Sequence, residues 1–134
     1  SNFKESFFGG FNSIRFDEEF FRQVLWEHFF FPYLTNTNGN SRLDVLNFVT
    51  LVHAFRNNSI NVEKNDDGKM TFKLESLAIA NSFESKNSHE AIADVETTTQ
   101  LLETLLRRNS DLLITQKKLS HQLKRNIQNR KIKF

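Results

Sequence analysis

The sequence predicts an α/β fold dominated by helices, and three observations carry that reading. Residues 7–14, FFGGFNSI, form a short apolar stretch with a glycine pair that reads as a strand. The acidic run Asp17-Glu18-Glu19 follows and opens a stretch whose apolar residues recur every three or four positions. Further stretches with that helical spacing come later, separated by segments rich in Asn, Thr and Gly. A length of 134 residues supports one core, and the 15 Phe supply volume that a hydrophobic fraction of 38% would otherwise lack. No apolar run approaches the roughly 20 residues of a membrane span. The polar N-terminus has no secretory signal, and with no Cys there is neither a disulfide framework nor a thiolate metal site. A cytoplasmic protein without a membrane partner is expected.

Taken in order, the strand over 7–14 carries Gly9 and Gly10, which let backbone or ligand approach closely or mark a bulge. Asp17 is expected to cap the first helix, with acidic residues favoured in its first turn by the helix dipole. That helix should run from about Glu18 to Phe30, with Phe20, Phe21, Val24, Leu25 and Phe29 on one face and Pro32 just beyond its end. Residues 34–42 read as loop. Residues 43–55 mix helix and strand signals, and the steps Leu46–Val49 and Phe48–Val52–Phe55 favour a helix. Residues 56–70 form a second loop that turns at Asn65-Asp66-Asp67-Gly68. Two carboxylates there invite thoughts of calcium, but the alternating ligands and distal Glu of an EF-hand loop are absent, so a turn is expected. Residues 72–82 predict a short helix with Leu74, Leu77 and Ala78 inward and Lys73 and Glu75 outward.

The stretch Ser88–Glu96 holds His89 and, five residues later, Asp94. On one helix these side chains would point about 140° apart. They can converge only if His89 sits on the loop entering the helix and Asp94 one turn inside it. Asn87 or Ser88 as cap and Glu90 three residues after Asn87 suit that geometry. A capped amphipathic helix with an exposed histidine explains the same spacing. Leu101, Leu102, Leu105 and Leu106 continue the apolar face, and beyond Arg108 a basic helix keeps a thin stripe at Leu112, Leu113, Leu119, Leu123 and Ile127. The net charge of +2 hides an asymmetry: residues 1–106 carry an excess of six acidic groups, whereas residues 107–134 carry nine basic groups against Asp111 alone. A basic end suits a polyanion, and equally suits a solvated helix with cations near its C-terminus.

Gly10-Phe11-Asn12-Ser13-Ile14-Arg15-Phe16-Asp17 resembles the second motif of the DEDDh 3′→5′ exonucleases, and His89 to Asp94, H-x-A-x-x-D, resembles their third. GFNSIRFDEE, Pro32-Tyr33, NSRLDVL, NDDG, FKLESLAIAN and SHEAIADVE resemble, in register, segments of bacterial exonuclease I. The resemblance runs from about Gly9 to Gln116. It implies a partial RNase H-like (DnaQ-like) domain and metal-dependent 3′→5′ hydrolysis of single-stranded DNA to nucleoside 5′-monophosphates, in DNA repair. Two Mg²⁺ ions in the complete site would clamp the attacking and leaving oxygens. Asp17 and Asp94 would supply two of four acidic ligands, with His89 as general base. Arg22, Tyr33 and Lys73 match positions that contact the DNA strand, and Asn12 and Phe16 of the second motif are placed with them. Lys73 stands where the family uses Arg, which keeps the charge and loses the bidentate fork. Thr50 replaces a basic residue, and the loop from Thr35 to Asn38 lacks tryptophans expected there. A monomer is expected, with single-stranded DNA and a single-strand DNA-binding protein as partners.

The first motif of that family, Asp-x-Glu on an early strand, has no counterpart, and its place would be roughly 90 residues before Asp17. The chain also opens at Ser1, close to a strand. Residues 1–116 are therefore expected to be the C-terminal half of an exonuclease domain lacking the first strands of its sheet. Residues 117–134 are expected to be a basic helical tail leading toward an accessory domain. Alone, the chain is expected to have little or no activity. Two other readings stand beside this one: a nuclease of short RNA, against which the NDDG segment argues, and a non-catalytic nucleic-acid-binding remnant.

Overall fold

A computed structural model describes residues 5–13, 17–83 and 91–131. Strand β1 (Phe7–Gly10) is followed by helix α1 (Asp17–Glu27), strand β2 (Ser41–Asp44) and helix α2 (Val45–Phe55). Helices α3 (Leu74–Ala80) and α4 (Ala91–Lys131) complete the described elements, with single 3₁₀ turns at Leu34–Asn36 and Asn57–Ser59. The two strands pair in parallel, from Phe7 opposite Ser41 to Gly10 opposite Asp44. A parallel pair needs a crossover, and α1 with its flanking segments provides it.

β1 is shorter than expected, ending at Gly10 rather than Ile14. Asn12, at φ 55°, turns the chain away from the sheet, and a Cβ at Gly10 would lie 2.7 Å from the Cβ of Ser13. Gly10 is thus needed for close approach of its own chain. β2 falls partly inside the segment expected to be loop. Its sequence, SRLD, is too short to show a period of its own, and its pairing with β1 decides its conformation.

α1 ends at Glu27, three residues before the expected Phe30, because of how its last turn closes. The Phe30 N–H donates to the Leu25 carbonyl (2.8 Å), the Phe29 N–H donates to that of Trp26 (3.1 Å), and Phe29 has φ 60°. This is a Schellman closure with a phenylalanine at the left-handed position that glycine usually fills. Asp17 is the first helical residue rather than the cap before it. α3 closes in the same manner: Phe83 N–H donates to Ala78, Ser82 N–H to Ile79, and Ser82 has φ 57°. Phe83 then packs on the core, the apolar contact that accompanies this closure.

The core lies where α2, α3 and α4 meet the end of β2. α2 buries Val45, Phe48, Val49 and Val52, a full i, i+3, i+4, i+7 stripe, whereas Phe55, expected on that face, is exposed. Facing it are Leu43, Ile60, Leu77, Leu101 and Leu105. On α3, Leu77 and Ala78 are buried, Leu74 is half-buried, and Lys73 and Glu75 are exposed, as the pattern predicts. α4 buries Ala93, Thr97, Leu101, Leu105 and Asn109 at steps of four. Its helix is broken once, at the fully buried Asn109 (φ −134°, ψ 23°). The Asn65–Gly68 turn is closed by Gly68 N–H to Asn65 O and by Lys69 N–H to the Asn65 side chain (both 2.8 Å), beneath a Lys64–Met70 bridge. It is a turn with no carboxylate in its bonding. The expected cap at Asn87, Ser88 and Glu90 lies outside the described residues, as do the side chains of Leu119, Leu123 and Ile127. No helix among the described residues is long and apolar enough to cross a membrane.

Candidate active site

A cleft of about 900 Å³ opens where the C-terminal end of β1 faces the starts of α1, α3 and α4. Gly9, Gly10, Phe11 and Asn12 form one wall, and Asp17 stands at the start of α1. Phe72, Lys73 and Leu74 enter from the start of α3, and Asp94, Val95, Thr98 and Thr99 from the first turns of α4. The C-terminal edge of parallel strands is the usual place for a ligand in an open α/β sheet. Four separated positions picked out in the sequence, Asn12, Asp17, Lys73 and Asp94, therefore line one cavity.

Local structure explains each placement. Asp94 lies in the first turn of α4. It is exposed, and its backbone carbonyl accepts the Thr98 hydroxyl at 2.7 Å. Lys73 is the residue before α3, so its side chain leaves the chain at the cleft rim. Asn12 owes its position to a residue that the sequence reading did not single out, Asp44. The Asp44 carboxylate is buried, caps α2 by accepting the Leu46 N–H (3.0 Å), and also accepts the Asn12 N–H (2.9 Å). One side chain thus fixes the start of α2 and the turn below the cleft. The signal was present as an Asp directly before an apolar helical stripe, the pattern of an N-cap.

Arg22 and Tyr33 do not line this cavity. The Arg22 guanidinium lies 5.7 Å from the centre of the Tyr33 ring and pairs with Glu19 at 3.1 Å. These two of the residues expected to touch DNA sit together, with Arg22 about one turn along α1 from Asp17. His89 and Phe16 lie outside the described residues. Among the described residues no group of three or more His, Asp or Glu converges as a metal set. The donor type in the cleft fits a hard divalent cation, since carboxylate oxygens are what such ions prefer. Among the described residues the cleft presents two such carboxylates, Asp17 and Asp94.

No family model matches the chain. Comparison with curated proteins finds exodeoxyribonuclease I of Haemophilus influenzae, 39% identical over 104 residues, covering 77% of this chain and 22% of the relative. That of Escherichia coli is 39% identical over 110 residues, covering 79% and 23%. The chain thus spans between a fifth and a quarter of the length of these curated relatives. Among solved structures, E. coli exonuclease I in complex with a dA16 oligonucleotide superposes with a TM-score of 0.74 at 34% identity, covering 84% of this chain and 25% of that one. An exonuclease I/SSB-Ct complex gives 0.70 at 34%, covering 80% and 24%. With its parallel β1–α1–β2 unit and helix-rich remainder, the chain is a homologue of one segment of bacterial exonuclease I and shares that part of its RNase H-like fold.

Proposed function

We propose that this chain supplies one side of the active site of a 3′→5′ exonuclease acting on single-stranded DNA. The observation that carries the proposal is the convergence of Asp17, Asp94, Asn12 and Lys73 on one cleft at the sheet edge. The homologues support it: the E. coli exonuclease I of similar fold was solved with a DNA oligonucleotide. Asp17 and Asp94 would hold a divalent metal, Mg²⁺ in our reading, which when bound stabilises charge on a phosphodiester. Lys73 would contact a phosphate as a point charge, and Asn12 would orient the terminal nucleotide from the cleft wall. His89 would take a proton from the attacking water, a task that an imidazole side chain suits near neutral pH. Phe16, Arg22 and Tyr33 would hold the strand beside the cleft. A single-strand DNA-binding protein is the partner we propose, in line with the SSB-Ct complex of the similar protein. We take the protein to be a cytoplasmic monomer in which residues 1–116 belong to the nuclease domain and 117–134 lead away from it.

Because the cleft presents two of four acidic ligands, the 134-residue chain by itself should release no nucleotides. A 3′-labelled DNA oligonucleotide incubated with the chain and Mg²⁺ reads this directly. Robust release that disappears in His89→Ala would contradict the requirement for further acidic groups. Binding should still respond to metal: Mg²⁺ should tighten the hold on single-stranded DNA, and Asp94→Asn should remove that gain. Equal binding of DNA and RNA of the same sequence, indifferent to Mg²⁺, would favour a non-catalytic nucleic-acid-binding role instead.

A further inference from the structure

At the end of α1 remote from Asp17 lies a surface made almost wholly of rings. Trp26, Phe29, Phe30, Phe31 and Pro32 line an open groove there, and all four aromatic residues are exposed, Phe29 completely. Phe29 holds that position with φ 60°, a backbone conformation that opposes any bulky residue. Strained residues of this kind cluster at ligand clamps and functional sites. The groove joins the Arg22–Tyr33 pair: the Phe31 ring meets Tyr33 edge-on at 5.9 Å, and the Arg22 guanidinium lies over the Tyr33 ring. α1 is about 16 Å long, so the rings continue outward from the cleft as a track rather than crowd the reaction centre.

We propose that Trp26, Phe29 and Phe30 form a stacking platform for unpaired nucleobases of the strand upstream of its 3′ end. The inference rests on the reading of the chain as part of a single-stranded DNA exonuclease and adds a subsite to it. Flat exposed rings continuous with a guanidinium–tyrosine pair are the features by which proteins hold single strands without reading sequence. The local charge of α1 is acidic rather than basic, with Asp17, Glu18, Glu19 and Glu27 against Arg22. This platform would therefore hold bases, leaving phosphates to Arg22 and Lys73, and its contribution would be insensitive to salt.

The chain offers a direct probe, because Trp26 is its one tryptophan and is 72% exposed. Titration with a sixteen-nucleotide oligothymidylate should quench Trp26 emission saturably, whereas a dinucleotide, confined to the cleft, should leave it unchanged. Fluorescence anisotropy of a labelled oligonucleotide reports total binding in parallel. Phe29→Gly relieves the strained backbone and so keeps the fold, yet should weaken binding of the long oligonucleotide about fivefold or more. Anisotropy that shows binding, with Trp26 emission unmoved and Phe29→Gly binding as tightly as the parent, would overturn the platform and leave the exonuclease reading standing. No binding of either oligonucleotide would overturn both. A blue shift of Trp26 that depends on protein concentration and not on DNA would assign the rings to self-association and would also overturn the platform.

Discussion

At the scale of single residues, two side chains set the geometry. Asp44 accepts hydrogen bonds from Leu46 and Asn12 at once, so it couples the α2 cap to the cleft wall. Asp44→Ala should cost about 2–3 kcal/mol, from the lost cap and an N–H left without its partner. Chemical denaturation measures this, and Asp44→Asn should recover part of it, because Asn also caps. Phe29 works in the opposite sense. Its ring is fully exposed and its backbone is left-handed, so Phe29→Gly gives up no burial and should stabilise the chain by about 1 kcal/mol. A lower midpoint in that variant would mean that the ring carries packing that its exposure denies. Neither residue was singled out for its role by the sequence alone. Asp44 was hidden because capping depends on where β2 stops, which pairing decides. Phe29 sits at the helical spacing of its neighbours and was therefore read as part of the α1 face.

At the scale of elements, α4 is two helical runs joined at Asn109, and α2 holds the joint. The buried Asn109 amide donates to the Leu105 carbonyl (2.9 Å), while its oxygen faces Ser59 and the Arg56 guanidinium. Arg56 also donates to the Arg108 carbonyl and grips the Asp111 carboxylate through both nitrogens, at 3.0 and 2.6 Å. The hydrogen bond from Arg56 holds the Asp111 carboxyl below the usual carboxylate range, and the same bond raises Arg56. Because the Asp111 pKa is depressed on folding, its stabilisation is present above the ordinary carboxylate pKa and is lost as pH falls through the lowered value. The pair is exposed and screened, so its effect is on the direction of the second run more than on global stability. Spin labels on introduced cysteines before and after Asn109, in a chain with none of its own, should show one narrow distance at neutral pH. That distance should broaden at acid pH and in Arg56→Ala. A distribution unchanged by either would show that the buried Asn109 alone fixes the angle. Helix periodicity predicted α2, α3 and the first run of α4 because those faces bury at steps of three and four. It could not predict the joint, because Arg56 and Asp111 lie 55 residues apart in sequence.

At the scale of the whole molecule, the sequence was most informative about the cleft and least about the sheet. Asp17 and Asp94 stand on separate elements, yet the resemblance to the exonuclease motifs assigned them to one site, and both line one cleft. β2 escaped because a four-residue strand carries no period, and the closure of α1 because a Phe stands where Gly would mark a stop. The charge asymmetry also acts at this scale. If the basic end tracks a DNA backbone, Lys117→Gln with Lys118→Gln should lower the salt slope of DNA binding by up to about 2.

The central claim is that Asp17 and Asp94 make one metal-binding edge of a nuclease site, and Mn²⁺ titration followed by amide NMR tests it most directly. Substoichiometric Mn²⁺ should broaden the amides of Asn12, Asp17, Lys73 and Asp94 together, and Asp94→Asn should abolish the effect at all four positions. Broadening centred on the Asp66–Asp67 turn, or undiminished in Asp94→Asn, would contradict the account.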